Sequence, residues 1–281
     1  MVGQTKKPVA PGAAPSPALR EAVRLHQAGE LDRAEALYRE AIAAAPDDAD
    51  ALHLLGVLSH QKGQSALGVG HIERALMVRP DSALFHRNLA GILHALRRPE
   101  KAAAHYAQAL EHGPETPGAR TDLAKALADA GAPEDAIAEY GRALALEPKD
   151  PRAHANLADL LAADARLAEA EAHYRAALAA RPDYGTAESG LGNVLRELGR
   201  LEEAHAHCRR ALELEPDYAI GHSDLGRCLQ ELRRFDEALA AYRRAVTLEP
   251  RLMHGVMKMM VRASSGRLWL KPSELKRRLT E

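Results

Sequence analysis

Apolar residues recur along this chain at spacings of three and four, and polar residues fill most positions between them. Leu157 and Leu161 show this spacing in one segment, and Tyr174, Ala177 and Leu178 show it in the next. Because an α-helix turns once every ~3.6 residues, this spacing places the apolar side chains on one helix face. The apolar-polar alternation typical of a half-buried strand does not appear. The pattern therefore predicts an all-α protein built from short amphipathic helices.

The pattern repeats every 34 residues, which is clearest from the prolines (80 − 46 = 34). The prolines at this spacing are Pro46, Pro80, Pro114, Pro148, Pro182, Pro216 and Pro250. A fixed period of this size is typical of stacked helical hairpins. With each proline at repeat position 32, the repeats span 15–48, 49–82, 83–116, 117–150, 151–184, 185–218 and 219–252.

Small residues occupy three columns of the repeat. Positions 8 and 20 hold Ala or Gly in every repeat, and position 27 always holds Ala. Such residues let two helices pack at the short end of the usual ~8–10 Å separation. Position 24, mostly Tyr, fills the remaining space. The second repeat carries Gly68 and Gly70 within a predicted helix at about 1 kcal/mol each, so we expect it to be the least stable repeat.

Turn residues separate the predicted helices. Gly63, Gly131 and Gly199 lie between the two helices of their repeats. The proline at position 32 cannot continue the second helix, so the chain turns into the next hairpin there.

These columns resemble the tetratricopeptide repeat family, which has a 34-residue period with small residues, an aromatic residue and a late proline at these positions. The segment GLGNVLRELGRLEEAHAHCRRALELEPDY, residues 190–218, is similar to the family consensus over its whole length. The resemblance covers residues 15–252. It implies a right-handed α-solenoid of seven helix-turn-helix repeats that ends in a C-terminal capping helix.

The two ends of the chain differ from the repeats. Residues 1–14 are rich in Pro, Gly and Ala, and we expect a disordered tail. Residues 253–281 should form a capping helix, over 253–264, and a basic tail. From 251 to 281 there are eight Lys or Arg and two Asp or Glu, a local charge of +6 (8 − 2). Such a tail either folds back on the array or contacts an acidic partner or an anionic membrane surface.

Charge and hydropathy narrow the function classes. The formal net charge is −1, so no global field attracts nucleic acid, and we expect no nucleic-acid partner. No stretch approaches the roughly 18 apolar residues that span a bilayer. Cys208 and Cys228 do not make a disulfide framework. We therefore expect a soluble, cytoplasmic protein without a membrane span.

Recognisable catalytic chemistry is missing from the sequence. It contains no GxxxxGKS/T, GxGxxG after a strand, GxSxG or HExxH motif. Most histidines share repeat columns, and successive hairpins lie roughly 10 Å apart, too far for several imidazoles to surround one zinc ion. We expect no catalytic residues, cofactor or metal. The column of His26, His60 and His94 would make binding in a nearby groove sensitive to pH.

In the resembled family, the first helix of each repeat lines a concave groove that usually holds an extended peptide or a partner helix. Position 6 is Asn or Asp in four repeats and is interrupted by Leu54 and Gly190. An Asn column here resembles the array of the O-linked N-acetylglucosamine transferases, whose amides hold a peptide backbone. The predicted groove residues are Arg87, Asn88, Asp122, Lys125, Arg152, Asn156, Asn193, Arg196, Asp224 and Arg227.

These features predict a scaffold that binds a protein or peptide in its groove and is not an enzyme. Two alternatives remain open. In the first, the chain is a regulatory or targeting subunit of a glycosyltransferase or sulfotransferase system. Only about 30 residues follow the last repeat, too few for a catalytic domain, so the enzyme would be a separate chain or this chain would be a shortened one. Otherwise it is a self-assembling scaffold in which one copy docks on another.

Overall fold

The structure is a computed structural model that describes residues 16–261 together with 277, 279 and 280. These residues form helices without any strand, and none of the described helices is long and apolar enough to cross a membrane. In chain order the helices are α1 (Pro17–Gln27), α2 (Leu31–Ala44), α3 (Ala49–Gln61), α4 (Ser65–Val78), α5 (Ala83–Ala95), α6 (Pro99–His112), α7 (Pro117–Asp129), α8 (Pro133–Leu146), α9 (Pro151–Ala163), α10 (Leu167–Ala180), α11 (Gly185–Glu197), α12 (Leu201–Leu214), α13 (Ala219–Glu231), α14 (Phe235–Leu248) and α15 (Met253–Val261). A 3₁₀ turn, Pro250–Leu252, precedes α15.

Odd-numbered helices from α1 to α13 are the first helices of the predicted repeats, and the following even-numbered helices are the second. Many first helices begin after a side chain that caps them. The Oδ1 atom of Asp48 accepts hydrogen bonds from two first-turn N–H groups of α3, at 3.0 and 3.1 Å. These bonds satisfy donors that a helix leaves unpaired at its start. The same capping role at α1, α5, α7 and α9 is taken by Ser16, Ser82, Thr116 and Asp150.

The turn inside each hairpin is made by one residue in the left-handed region of backbone conformation. It occupies repeat position 15. Glycine holds it at Gly29, Gly63, Gly131 and Gly199, with φ between 77° and 79°. The remaining three described turns hold Arg97, Ala165 and Arg233, with φ of 58°, 58° and 62°. The predicted glycine turns are therefore one recurrent conformation, which residues with a Cβ also adopt at an energetic cost.

Two compact units make up the chain, Met1–Arg142 and Ala143–Glu281. In the first unit, the alanines of positions 8 and 20 are fully buried between α1 and α2 at Ala22 and Ala34, beside the buried ring of Tyr38. In the second unit, Ala158 and Ala170 are buried likewise, beside Tyr174. The small-residue columns thus lie at the seams of the hairpins, as the sequence predicts.

The last described helix covers the end of the second unit. Val256 of α15 is fully buried, and Leu279 packs in the same apolar cluster as Val256 and Tyr242. This arrangement is what a capping helix requires, because it covers the outer face of the last hairpin. The predicted helix ends at residue 264, of which 262–264 lie outside the described residues. The predicted tail 1–14 and most of the basic C-terminal tail lie outside them as well.

Candidate binding cleft

Three first helices of the second unit, α9, α11 and α13, enclose a cleft of about 560 Å³. These helices belong to successive repeats, and each contacts the next. Tyr174 of α10 also lines the cleft, as do Tyr184 and Tyr218, which directly precede α11 and α13. The cleft therefore lies on the surface formed by first helices, and it combines aromatic rings with polar side chains.

Tyr174 reaches the cleft because Gly190 leaves room for its ring. A Cβ atom at Gly190 would lie 2.5 Å from the Cε1 and hydroxyl atoms of Tyr174, closer than atoms pack. The Tyr174 hydroxyl donates a short hydrogen bond to Oδ1 of Asp159 on α9. Gly190 is one of the residues that interrupts the polar column at position 6, and the aromatic ring occupies the space that a side chain there would take.

Tyr184 and Tyr218 occupy repeat position 34, where earlier repeats carry Ser, Thr or Asp caps. Neither makes a capping hydrogen bond. The Tyr218 ring packs over Gly221, where a Cβ atom would lie 2.5 Å from its Cδ1, and burial raises the pKa of Tyr218 to about 12. The Arg181 guanidinium lies 3.3 Å from the centroid of the Tyr184 ring. Both rings are therefore held against their surroundings.

Asp224 forms a buried polar network at the cleft. Its side chain accepts a hydrogen bond of 2.9 Å from the Ser189 hydroxyl and another from Asn193. Burial raises the pKa of Asp224, although these hydrogen bonds and the nearby Arg227, whose Nη1 is 3.8 Å from Oδ1, favour its charged form. The Oδ1 atom of Asn193 is buried and has no partner among the described residues. It is therefore an acceptor that a bound ligand can use.

Asp159 differs from Asp224 in its surroundings. Its side chain is exposed to solvent within the cleft, yet protein atoms surround it, and this loss of bulk water raises its pKa. Tyr174, a neutral donor, is its hydrogen-bond partner, and no cationic side chain of the described residues pairs with it. The third carboxylate of the cleft, Glu197, lies 3.1 Å from Nη2 of Arg196.

The predicted groove residues of the second unit divide into two groups. Asn156, Asn193, Asp224 and Arg227 line the cleft. The other two, Arg152 and Arg196, do not line it; Arg152 is exposed on α9, and Nη1 of Arg196 pairs with Glu231 at 2.7 Å.

The first unit holds the other four predicted groove residues. Asn88 Nδ2 lies 2.7 Å from His53 Nε2, and the His53 ring stacks on Phe85 with centroids 4.4 Å apart. This amide group is therefore engaged within the protein. The remaining three are exposed on α5 and α7: Arg87, Asp122 and Lys125.

A regular set of polar contacts joins the first helices of neighbouring repeats. Each contact connects residues 35 apart, one period plus one residue. Position 5 bonds to position 6 of the next repeat in His53–Asn88 and Ser189–Asp224. Position 12 bonds to position 13 in His26–Gln61, His94–Asp129 and Arg196–Glu231. Several polar residues of the predicted groove thus hold neighbouring repeats in register.

The histidines of position 12 do not converge on one point. His26 contacts Tyr38 and Gln61, His60 contacts Ser65 Oγ at 2.8 Å, and His94 contacts Asp129. Within the part of the chain that the structure describes, no group of three or more His, Cys, Asp or Glu residues is arranged to hold a metal ion.

Sequence reasoning missed Asp159, Tyr184 and Tyr218 as cleft residues. Two signals in the sequence mark them. The caps at position 34 change to tyrosine in the fifth and sixth repeats, and the polar residue at position 6 changes to glycine at Gly190, beside the aromatic of position 24. The first change removes a helix cap and the second removes a polar side chain, and both lie at the cleft.

Comparisons with known proteins agree with this architecture. Three tetratricopeptide repeat models match the chain, at residues 19–76 and 61–119, 93–160 and 127–189, and 183–248. No curated protein matches the sequence.

Solved structures share the fold at low sequence identity. YrrB, a TPR protein with an unusual peptide-binding site, is 20% identical, with a TM-score of 0.57 over 66% of this chain and 95% of YrrB. PilF of Pseudomonas aeruginosa is 18% identical, with a TM-score of 0.57 over 71% of this chain and 90% of its own. The C-terminal part of a TPR repeat-containing protein from Cytophaga hutchinsonii is 12% identical, with a TM-score of 0.67 over 86% and 99%. The predicted all-α repeat solenoid is confirmed, and the chain belongs to the tetratricopeptide repeat family.

Proposed function

We propose that the chain is a protein-interaction scaffold, without catalytic activity of its own, that holds an extended segment of a partner protein in the cleft of α9, α11 and α13. One observation carries the proposal: three successive first helices enclose a cleft of about 560 Å³ that is lined by the amides of Asn156 and Asn193 and by tyrosine rings. A volume of this size accommodates a few side chains of a bound segment. The similarity to YrrB, whose site binds peptides, supports it.

Amide groups in the cleft suit an extended backbone. Asn156 lines the cleft, and its side chain forms no hydrogen bond with other described residues, so it can donate to a peptide carbonyl and accept from a peptide N–H. The Oδ1 atom of Asn193 adds a second acceptor. Tyr218 and the half-exposed Ile220 supply apolar surface for side chains of the segment.

Selection of ligands from a random-peptide display library on the immobilised full chain tests the proposal. We expect peptides selected on the wild-type protein to bind Asn156→Ala about tenfold more weakly, since one or two hydrogen bonds are lost. Asn156 forms no internal hydrogen bond in the described protein, and alanine is a good helix former, so helicity should not change. Lys125→Ala on α7 is the matched comparison, because Lys125 is an exposed groove candidate of the first unit.

Affinity and helicity, measured by fluorescence polarisation and far-UV circular dichroism, decide the question. Weaker binding by Asn156→Ala with unchanged binding by Lys125→Ala supports the cleft. The reverse result moves the binding site to the first unit. A library that yields no binder at all contradicts the scaffold proposal in this form.

A further inference from the structure

We propose that the cleft selects peptide segments carrying an arginine or lysine side chain, which packs against the ring of Tyr218 with its charge beside Asp159. This inference rests on the proposed function above and specifies the chemistry of the bound segment. It follows from the balance of charges in the cleft, from the arrangement of its rings and from the solvent accessibility of one carboxylate.

The charges in the cleft leave one carboxylate without a cationic partner. Asp224 is buried and neighbours Arg227, with 3.8 Å between Oδ1 and Nη1. Glu197 neighbours Arg196 at 3.1 Å. Asp159 has Tyr174 as its hydrogen-bond donor, and this donor carries no charge. A cationic ligand group can therefore pair with Asp159.

Asp159 is also placed where a ligand can reach it. Its side chain is exposed within the cleft, so the oxygen that Tyr174 does not occupy is accessible. Asp159 and Tyr218 line the same cleft; burial raises the pKa of Tyr218, and the charge of Asp159 adds to that rise. A cation that enters beside Asp159 therefore contacts aromatic surface as well as the carboxylate.

The tyrosine rings are held in place before any ligand binds. Tyr174 lies over Gly190, and Tyr218 lies over Gly221, each where a Cβ atom would collide with the ring. Flat aromatic faces attract guanidinium and ammonium groups through their quadrupole. The protein itself shows this contact nearby, because the Arg181 guanidinium lies 3.3 Å from the centroid of Tyr184. A fixed ring next to a carboxylate favours a cation over a neutral side chain.

An acidic segment would be disfavoured in the same place. Arg227, the cationic side chain that lines the cleft, already neighbours Asp224, and Arg196 beside it pairs with Glu197 and Glu231. A ligand carboxylate would have to compete with those partners and would approach the charge of Asp159. The cleft thus favours a positively charged segment over a negatively charged one.

The test uses the full chain and fluorescent, capped octapeptide libraries in which one position is fixed and the others are randomised. The fixed residue is arginine, lysine, citrulline or glutamate. Citrulline has nearly the shape of arginine but no charge, so it isolates the electrostatic contribution. We expect arginine and lysine libraries to bind at least about tenfold tighter than the citrulline library, with the glutamate library weakest.

Asp159→Asn is the informative variant, because asparagine still accepts the hydrogen bond of Tyr174 while it removes the charge. We expect this variant to bind the arginine and citrulline libraries equally. Glu213→Gln is the matched control, since Glu213 is an exposed carboxylate of α12 outside the cleft, and it should keep the wild-type preference. The preference should also shrink as the Debye length falls from about 30 Å at ~0.01 M salt to about 3 Å at ~1 M.

Three outcomes overturn the inference. Equal binding of arginine and citrulline libraries by the wild type removes the charge preference. Persistence of the preference in Asp159→Asn assigns it to a different group. Tightest binding of the glutamate library reverses its sign. In each case peptides still bind, so the scaffold proposal stands; only a lack of binding by every library contradicts both proposals.

Discussion

The second repeat offers a direct test of how closely its two helices pack. A Cβ atom placed on Gly68 of α4 would lie 2.6 Å from the carbonyl oxygen of Gly56 on α3. Carbon–oxygen contacts in proteins are normally roughly 3.3–3.6 Å, so the helices would have to separate by roughly 0.7–1.0 Å. The oxygen belongs to the backbone, and no side-chain rotation relieves the overlap. Gly68→Ala should therefore open the hairpin.

The magnitude follows from two opposing contributions. Alanine in place of glycine within a helix stabilises it by about 1 kcal/mol. Overpacking a close seam costs about 1–3 kcal/mol. Gly70→Ala is the matched control, because a Cβ atom at Gly70 meets nothing within 4 Å and so gains the helix contribution alone. The difference between the two variants, about 1–3 kcal/mol in favour of Gly70→Ala, therefore measures the packing cost.

Urea unfolding followed by circular dichroism gives this difference, and amide hydrogen exchange shows whether the loss is confined to α3 and α4. We expect Gly70→Ala to unfold at a higher urea concentration than the wild type and Gly68→Ala at a lower one than Gly70→Ala. If the two variants were equally stable, the close approach of Gly56 and Gly68 would be refuted, and the expectation of a weak second repeat would rest on helix propensity alone.

Three further predictions concern other elements. Ala165→Gly should raise the free energy of unfolding in urea by about 1 kcal/mol, because Ala165 has a left-handed φ of 58°. Gly131→Ala, at the equivalent turn of another repeat, should lower the free energy of unfolding for the same reason. Burial lowers the pKa of His53 to about 4, below the ~6.5 of an unfolded chain. The contribution of neutral His53 to the free energy of unfolding is therefore complete at neutral pH and is lost as pH falls between these values, by about 2 kcal/mol near pH ~5. A His53→Gln variant that lost as much stability in acid would contradict this. Tyr218→Ser should strengthen the start of α13 by about 1 kcal/mol and weaken binding of a selected peptide, because the ring is lost without any change of charge; a rise in both quantities would show that Tyr218 is not part of the site.

Periodicity predicts the fold of this chain because the same contact is specified seven times. The small residues of positions 8 and 20 determine where two helices pack closely, and the proline of position 32 determines where a helix ends. Because these residues recur in every repeat, each repeat supports the prediction for the others. Boundaries depend less on the pattern. At Arg97 the turn between two helices has a left-handed φ, as at the glycine turns. Because no glycine marks it in the sequence, the helix ends there cannot be located from the pattern alone.

The cleft is harder to predict because it depends on differences between repeats. Column reasoning selects Asn156 and Asp224, which line the cleft, but it also selects Asn88, whose amide is engaged by His53 of the preceding repeat. Repeat position alone does not tell a residue that faces a ligand from one that bonds to the neighbouring hairpin. The distinction requires the 35-residue spacing of the contacts, which the structure reveals.

The tyrosines before α11 and α13 connect stability with function. Asp48 and Asp150 show that a capping side chain suits this repeat position, and a missing cap typically costs about 1 kcal/mol. Tyr184 and Tyr218 give up that cap in two successive repeats, and both line the same cleft. The loss of a helix cap in two successive repeats suggests that tyrosine has another use at these positions. In this cleft the tyrosines provide aromatic surface near Asp159. Helix caps elsewhere in the chain stabilise the helices that they precede, whereas under the proposed function these two positions give up that stability for contact with a ligand.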